Sequence, residues 1–141
     1  MIRRAAKVVG FAALALIILL LIINAFPALV GADQSYIVQS GSMEPAIHTG
    51  SIVFVKDVPA QEVEVGDVIT FAESRGSAST THRVIEKDDE GSGMRFVTKG
   101  DANDARDPEP VYPRNIIGVV TLSIPYIGYV SAFAGTRLGW I

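Results

Sequence analysis

Apolar residues run from Val8 to Val30 with Asn24 as the one strongly polar interruption and no charge. As a helix this stretch would reach about 34 Å at roughly 1.5 Å per residue, enough for a hydrocarbon core of about 30 Å. The pattern predicts a transmembrane helix over residues 8–30. Val30-Gly31-Ala32 also resembles the small-residue site at which a signal peptide is removed. Cleavable apolar regions run about 7 to 15 residues, and this one is longer, so an uncleaved signal anchor is the reading. Arg3, Arg4 and Lys7 precede the run, and Asp33 is the first charge after it. The positive-inside tendency then keeps residues 1–7 in the cytoplasm and the rest on the far side of a cell membrane.

Past residue 31 the pattern changes to short runs rich in Val, Ile, Thr and Phe: Ser51–Val55, Asp67–Phe71, Thr81–Lys87, Met94–Lys99 and Ile116–Ile124. Gly, Pro, Asp and Ser residues lie between them, which is the signature of strands joined by turns. Residues 88–93 read as a hairpin loop between the third and fourth runs, and residues 72–80 as a mobile surface loop. No long amphipathic helix follows the anchor. The expected fold class is therefore mainly β: the helix, then a small antiparallel domain over residues 31–122, of the partly closed barrel kind. Residues 123–141 form an apolar tail with Tyr126, Tyr129, Phe133 and Trp140 and a single charge, Arg137. It reads as membrane-interfacial, as a terminal element packed on the core, or as the start of a second hydrophobic span.

Charge and composition narrow the function. The chain carries 12 Lys+Arg and 15 Asp+Glu, and three of the basic residues precede the anchor, so the remainder is acidic. Nucleic acid is a poor partner for such a surface, because phosphate binding rests on clustered cations. With no cysteine in the chain, disulfides and thiolate–metal sites are excluded.

The residues able to carry chemistry are few. Ser42 lies in the turn Ser40-Gly41-Ser42-Met43-Glu44-Pro45, with 11 residues between Val30 and itself. Even fully extended, that spacer keeps Ser42 within roughly 40 Å of the bilayer. A serine hydroxyl becomes a nucleophile only when a nearby base takes its proton and a third group orients the base. Of the two histidines, His82 falls in a predicted strand, where it would project with Val84 and Glu86; His48 falls in a polar loop and reads as a solvated turn residue. Asp101, Asp104 and Asp107 crowd one loop, which alone reads as a solvated segment or a cation site. A calcium loop would need a closing bidentate Glu, and Glu109 is poorly spaced for it.

Taken in order, these motifs resemble the type I signal peptidases of the archaeal and endoplasmic-reticulum kind. The resemblance runs through the anchor, Ser40–Pro45, Gly66-Asp67-Val68-Ile69, Thr81-His82-Arg83-Val84, Lys99-Gly100-Asp101-Ala102-Asn103 and Ile124-Pro125-Tyr126-Ile127-Gly128. It implies a membrane-anchored serine endopeptidase that removes signal peptides from exported preproteins, with small residues before the cut and no metal or other cofactor. By motif position it implies Ser42 as nucleophile and His82, in place of the lysine of the other bacterial branch, as general base. It implies Asp107 as the orienting carboxylate, Asp101 as a second required acid, and the Ser40 hydroxyl as a candidate oxyanion donor; the Ser42 backbone N–H is a second candidate, since the oxyanion needs donors where negative charge develops. Ala102 departs from the family's usual Gly-Asp-Asn-Asn, and Asp104 adds a rival carboxylate, so the third member stays open between Asp107 and Asp101. Two other readings are kept: an anchored β-domain that only binds peptides, and a Ser/Lys peptidase using Lys87 or Lys99.

Overall fold

The apolar run forms one helix, α1 (Ile2–Ala25), in a computed structural model that describes residues 1–74, 76–89, 91 and 93–129. The helix starts earlier than the hydropathy pattern predicts, so Arg3, Arg4 and Lys7 sit in its first two turns. It also stops earlier. Phe26 precedes Pro27, which disfavours helical geometry at the residue before it, and Phe26 takes φ −128°, ψ 73°. Pro27–Val30 continue as a 3-10 turn instead. At 24 residues α1 is about 36 Å long and carries a mean hydropathy that suits a membrane span.

Six strands follow: β1 (Gln34–Ile37), β2 (Ile52–Lys56), β3 (Val68–Phe71), β4 (Thr80–Asp88), β5 (Arg95–Lys99) and β6 (Ile116–Ile124). All pairings are antiparallel, in the order β1-β2-β6-β3-β4-β5. The expected antiparallel β-domain behind an N-terminal helix is therefore present, and five of its strands match the predicted runs to within about a residue at each end. Helix and strand contents are about equal because α1 is long. Among the described residues no pairing joins β1 to β5, so the sheet is open where a partly closed barrel was expected. The strand that the pattern missed is β1, four residues with polar Gln34 and Ser35 at its start. Of the apolar tail, residues 130–141, including Phe133, Arg137 and Trp140, lie outside the described residues, as do Glu90 and Ser92 of the hairpin loop.

Strand β2 is buried on both faces. Ile52 and Phe54 pack with Ala32, Ile127 and the end of the anchor, at Leu20, Ile23 and Val30. Val53 and Val55 pack on the other side with Met43 and Ile47, from the loop that contains Ser42. A third cluster, Val63, Ile69, Val84, Phe96 and Val111, holds β3, β4 and β5 together. Full burial of side chains of this size stabilises by about 1.5–3 kcal/mol each. Strict alternation along β4 fails at Ile85, where the register with β5 shifts between Val84 and Glu86. His82 and Val84 are buried together as predicted, but Glu86 turns out to the surface, where Arg106 reaches it at 3.1 Å.

Candidate active site

Ser42 is offered to the surface by the apolar residue beside it. Met43 is 1% exposed and Ile47 5%. They pin a loop whose base is closed by the Gly50 N–H to Val38 O and Val38 N–H to Ser51 O hydrogen bonds. Within the loop the Ile47 N–H donates to Met43 O at 2.9 Å and the Glu44 N–H to Gly41 O at 3.1 Å. The residue before a buried knob on so tight a turn has to face outward, and that residue is Ser42.

His82 comes from β4, beyond the point where β5 ends opposite Arg83. Its Nε2 lies 3.1 Å from Ser42 Oγ and its Nδ1 2.6 Å from Asp107 Oδ2. A carboxylate only accepts, so Nδ1 carries the proton and Nε2 is left as an acceptor facing the serine hydroxyl. With the Ser42 O–H directed at Nε2, the Ser40 hydroxyl, 3.2 Å away, is the donor to Ser42 Oγ. The His82 ring is nearly buried and meets Phe71 edge-on.

The acidic loop does two jobs with its carboxylates. Asp107 returns alongside β5: its N–H donates to Thr98 O at 2.8 Å, and Thr98 Oγ1 donates to Asp107 Oδ2 at 2.6 Å. Asp101 instead takes a two-pronged contact from Arg83, Nε to Oδ1 at 2.8 Å and Nη2 to Oδ2 at 2.7 Å. That hydrogen-bonded guanidinium holds the Asp101 carboxyl below the usual carboxylate range against the opposing effect of burial, with smaller help from the charge of Lys99. Arg83 also donates to Gly66 O at 2.8 Å, on a turn where Gly66 has φ 99°, a conformation that favours glycine. The Gly66-Asp67, His82-Arg83 and Gly100-Asp101 motifs thus meet on one guanidinium. The loop finally grips the serine turn: the Ala102 N–H donates to Ser42 O at 2.9 Å. A Cβ on Gly100 would stand 2.6 Å from that same oxygen, so the approach requires glycine.

Of the residues singled out in the sequence, Ser40, Ser42, His82 and Asp107 are brought together, while Asp101 is turned to Arg83. Among the described residues no group of His, Asp and Glu is arranged to hold a metal ion. Lys87 Nζ donates to Gln61 O and Lys99 Nζ to Gly100 O, so neither lysine is directed at Ser42. His48 is not a free turn residue: it pairs with Glu44 and stacks on Tyr126. Thr98 escaped sequence reasoning, although its position, alternate to Phe96 on β5, marks it as inward-facing. Ser42 and His82 open onto a groove of about 740 Å³ between β1 and the start of β4, walled by Tyr36, Val38, Val53, Ser79, Thr81 and Asn103. Strand β1 pairs only with β2 among the described residues, so its other edge is free along this groove.

A family profile described as signal peptidase, peptidase S26, matches residues 7–90, which include Ser42 and His82. Signal peptidase I W of Bacillus subtilis is 41% identical over 91 residues, 64% of this chain and 47% of that protein. The signal peptidase complex catalytic subunit SEC11 of Colletotrichum graminicola is 36% identical over 103 residues, 67% of this chain and 60% of its own length. Human SEC11C is 29% identical over 113 residues, 73% of this chain and 58% of that protein. The chain thus spans about half to three fifths of the relatives it matches. With more than half of its residues matched by that profile, the chain belongs to the signal peptidase family, peptidase S26.

Proposed function

We propose that this chain is a membrane-anchored serine endopeptidase that cuts signal peptides from preproteins as they leave the bilayer. The observation that carries the reading is His82, which bridges the Ser42 hydroxyl and the Asp107 carboxylate at the wall of an open groove. A domain that only binds peptides has no use for that bridge.

In this reading α1 anchors the chain with its basic end in the cytoplasm, and the sheet lies on the opposite side. The preprotein adds as a strand along the free edge of β1, its alternate side chains entering the groove. Walls of Tyr36, Val38 and Val53 suit small apolar residues before the cut. Ser42 Oγ attacks the scissile carbonyl carbon while His82 Nε2 takes the hydroxyl proton, and Asp107 holds the imidazole in the required tautomer. Negative charge then develops on the carbonyl oxygen, where the Ser42 N–H and the Ser40 hydroxyl are the assigned donors. Once Ser42 Oγ is bonded to carbon, the Ser40 O–H is released from it and turns to the oxyanion; one such donor is worth roughly 3–4 kcal/mol. The C–N bond breaks as His82 returns its proton to the leaving amine. Water, deprotonated by His82, then hydrolyses the ester. Asp101 acts through Arg83, keeping the acidic loop on the Ser42 carbonyl.

The test is cleavage of a preprotein with an Ala-x-Ala site by detergent-solubilised protein. Wild type is expected to release the mature chain and Ser42→Ala to release none; equal cutting by the two ends the proposal.

A further inference from the structure

The hydroxyl of Thr98 is fully buried, and a valine would fill the same volume without a polar group to satisfy. Its hydrogen-bonding partner is the Asp107 oxygen, at 2.6 Å, that also receives the His82 Nδ1 proton. Thr98 sits opposite Val84 across β4 and β5, so it is the diagonal neighbour of His82 on one face of the sheet. A second bond, from the Asp107 N–H to Thr98 O at 2.8 Å, fixes the backbone of the same carboxylate. We propose that Thr98 is a positioning residue for the proton transfer: its hydroxyl shares Asp107 Oδ2 with His82, fixing the carboxylate's rotation and limiting its pull on the imidazole.

The physical argument is a competition for one acceptor. An oxygen with two donors divides its electron density between them, and each bond to a charged acceptor is strong. Without the threonine donor, Oδ2 binds the imidazolium more tightly and the carboxylate is freer to turn. His82 then sheds its proton less readily, so cutting slows and its acid limb moves to higher pH. Of the other charges around this loop, Asp101 is bonded to Arg83, Arg106 to Glu86 and Lys99 to Gly100 O, while Asp104 lies exposed. Thr98 is not among the residues lining the groove, so substrate affinity is left alone.

The proposal rests on the peptidase reading above, and its test separates the two. Full-length Thr98→Val and Thr98→Ser proteins are assayed on the Ala-x-Ala preprotein across pH, with Ser42→Ala alongside. Thr98→Val is expected to lower kcat about tenfold or more, equivalent to about 1.4 kcal/mol, with KM within about twofold and the acid limb displaced upward. Thr98→Ser, which restores the donor, is expected to recover kcat to within about threefold. A Thr98→Val enzyme with wild-type kcat and pH profile overturns the proposal, and so does a Thr98→Ser enzyme as impaired as the valine variant. The low-field proton resonance of His82 Nδ1 reads the contact independently of cutting. It is expected to move in Thr98→Val and to stay in Thr98→Ser; an unmoved signal overturns the proposal even if Ser42→Ala shows that the chain cuts by other means.

Discussion

The chain holds two histidines, and each is paired with a carboxylate, yet the two sites differ in what lies on the other side of the ring. His48 bonds Glu44 through Nδ1 within one loop, stacks on Tyr126 with ring centroids 6.1 Å apart, and leaves 45% of its side chain exposed. His82 bonds Asp107 through Nδ1 across 25 residues of sequence, leaves 11% of its side chain exposed, and turns Nε2 onto a serine hydroxyl. A carboxylate partner therefore does not by itself make a histidine a base. The second nitrogen must face a proton to be moved, and the ring must be held by elements that do not move with the loop. His48 braces the Ser42 turn; His82 spans from that turn to the acidic loop.

The comparison can be broken most sharply at His82. His82→Ala or Asp107→Ala is expected to cut preprotein at least ~10³-fold more slowly than wild type, as loss of one member of such a triad does. Near-wild-type rates from either variant would erase the distinction between the two histidines. A smaller effect is expected at Asp101, read by thermal unfolding. Asp101→Asn removes a charge-assisted bond and is expected to cost about 1.5–3 kcal/mol of stability, with a milder loss of cutting than Asp107→Ala. The pH dependence has a definite sign. Arg83 lowers the Asp101 acid range in the folded chain, so this stabilisation is present above the unfolded value of about 3.9 and is lost as pH falls through the folded one. Wild type should lose more stability than Asp101→Asn as pH is taken below about 4. The smallest effect is expected at His48: His48→Ala should keep cutting within about twofold and cost ~0.5 kcal/mol, the size of an exposed ion pair.

Much of this site was legible because its residues announce themselves. Ser42 sits in a Ser-Gly-Ser-Met-Glu-Pro turn a short way past the apolar run, and His82 in a run of β-formers. The choice between Asp101 and Asp107 was not legible, since three aspartates within seven residues look alike until the path of the loop is known. That path is set by Gly100 passing against the Ser42 carbonyl and by the Asp107 N–H returning to Thr98 O. Thr98 was hidden for the opposite reason: a threonine in a strand needs no explanation, and its neighbour arrives from nine residues later. The end of α1 was misread because hydropathy does not register that Pro27 stops a helix. Strand β1 was missed because four residues with a polar start carry too little alternation, even though its free edge borders the groove.

The two-sided burial of β2 has a bearing on handling the protein. Its Ile52 and Phe54 face leans on the last turns of the anchor, while its Val53 and Val55 face supports the serine turn. Trimming the chain at Ala32 would uncover one side of the very strand whose other side seats Ser42. The apolar helix α1 is, in this sense, also a piece of the wall behind the candidate site.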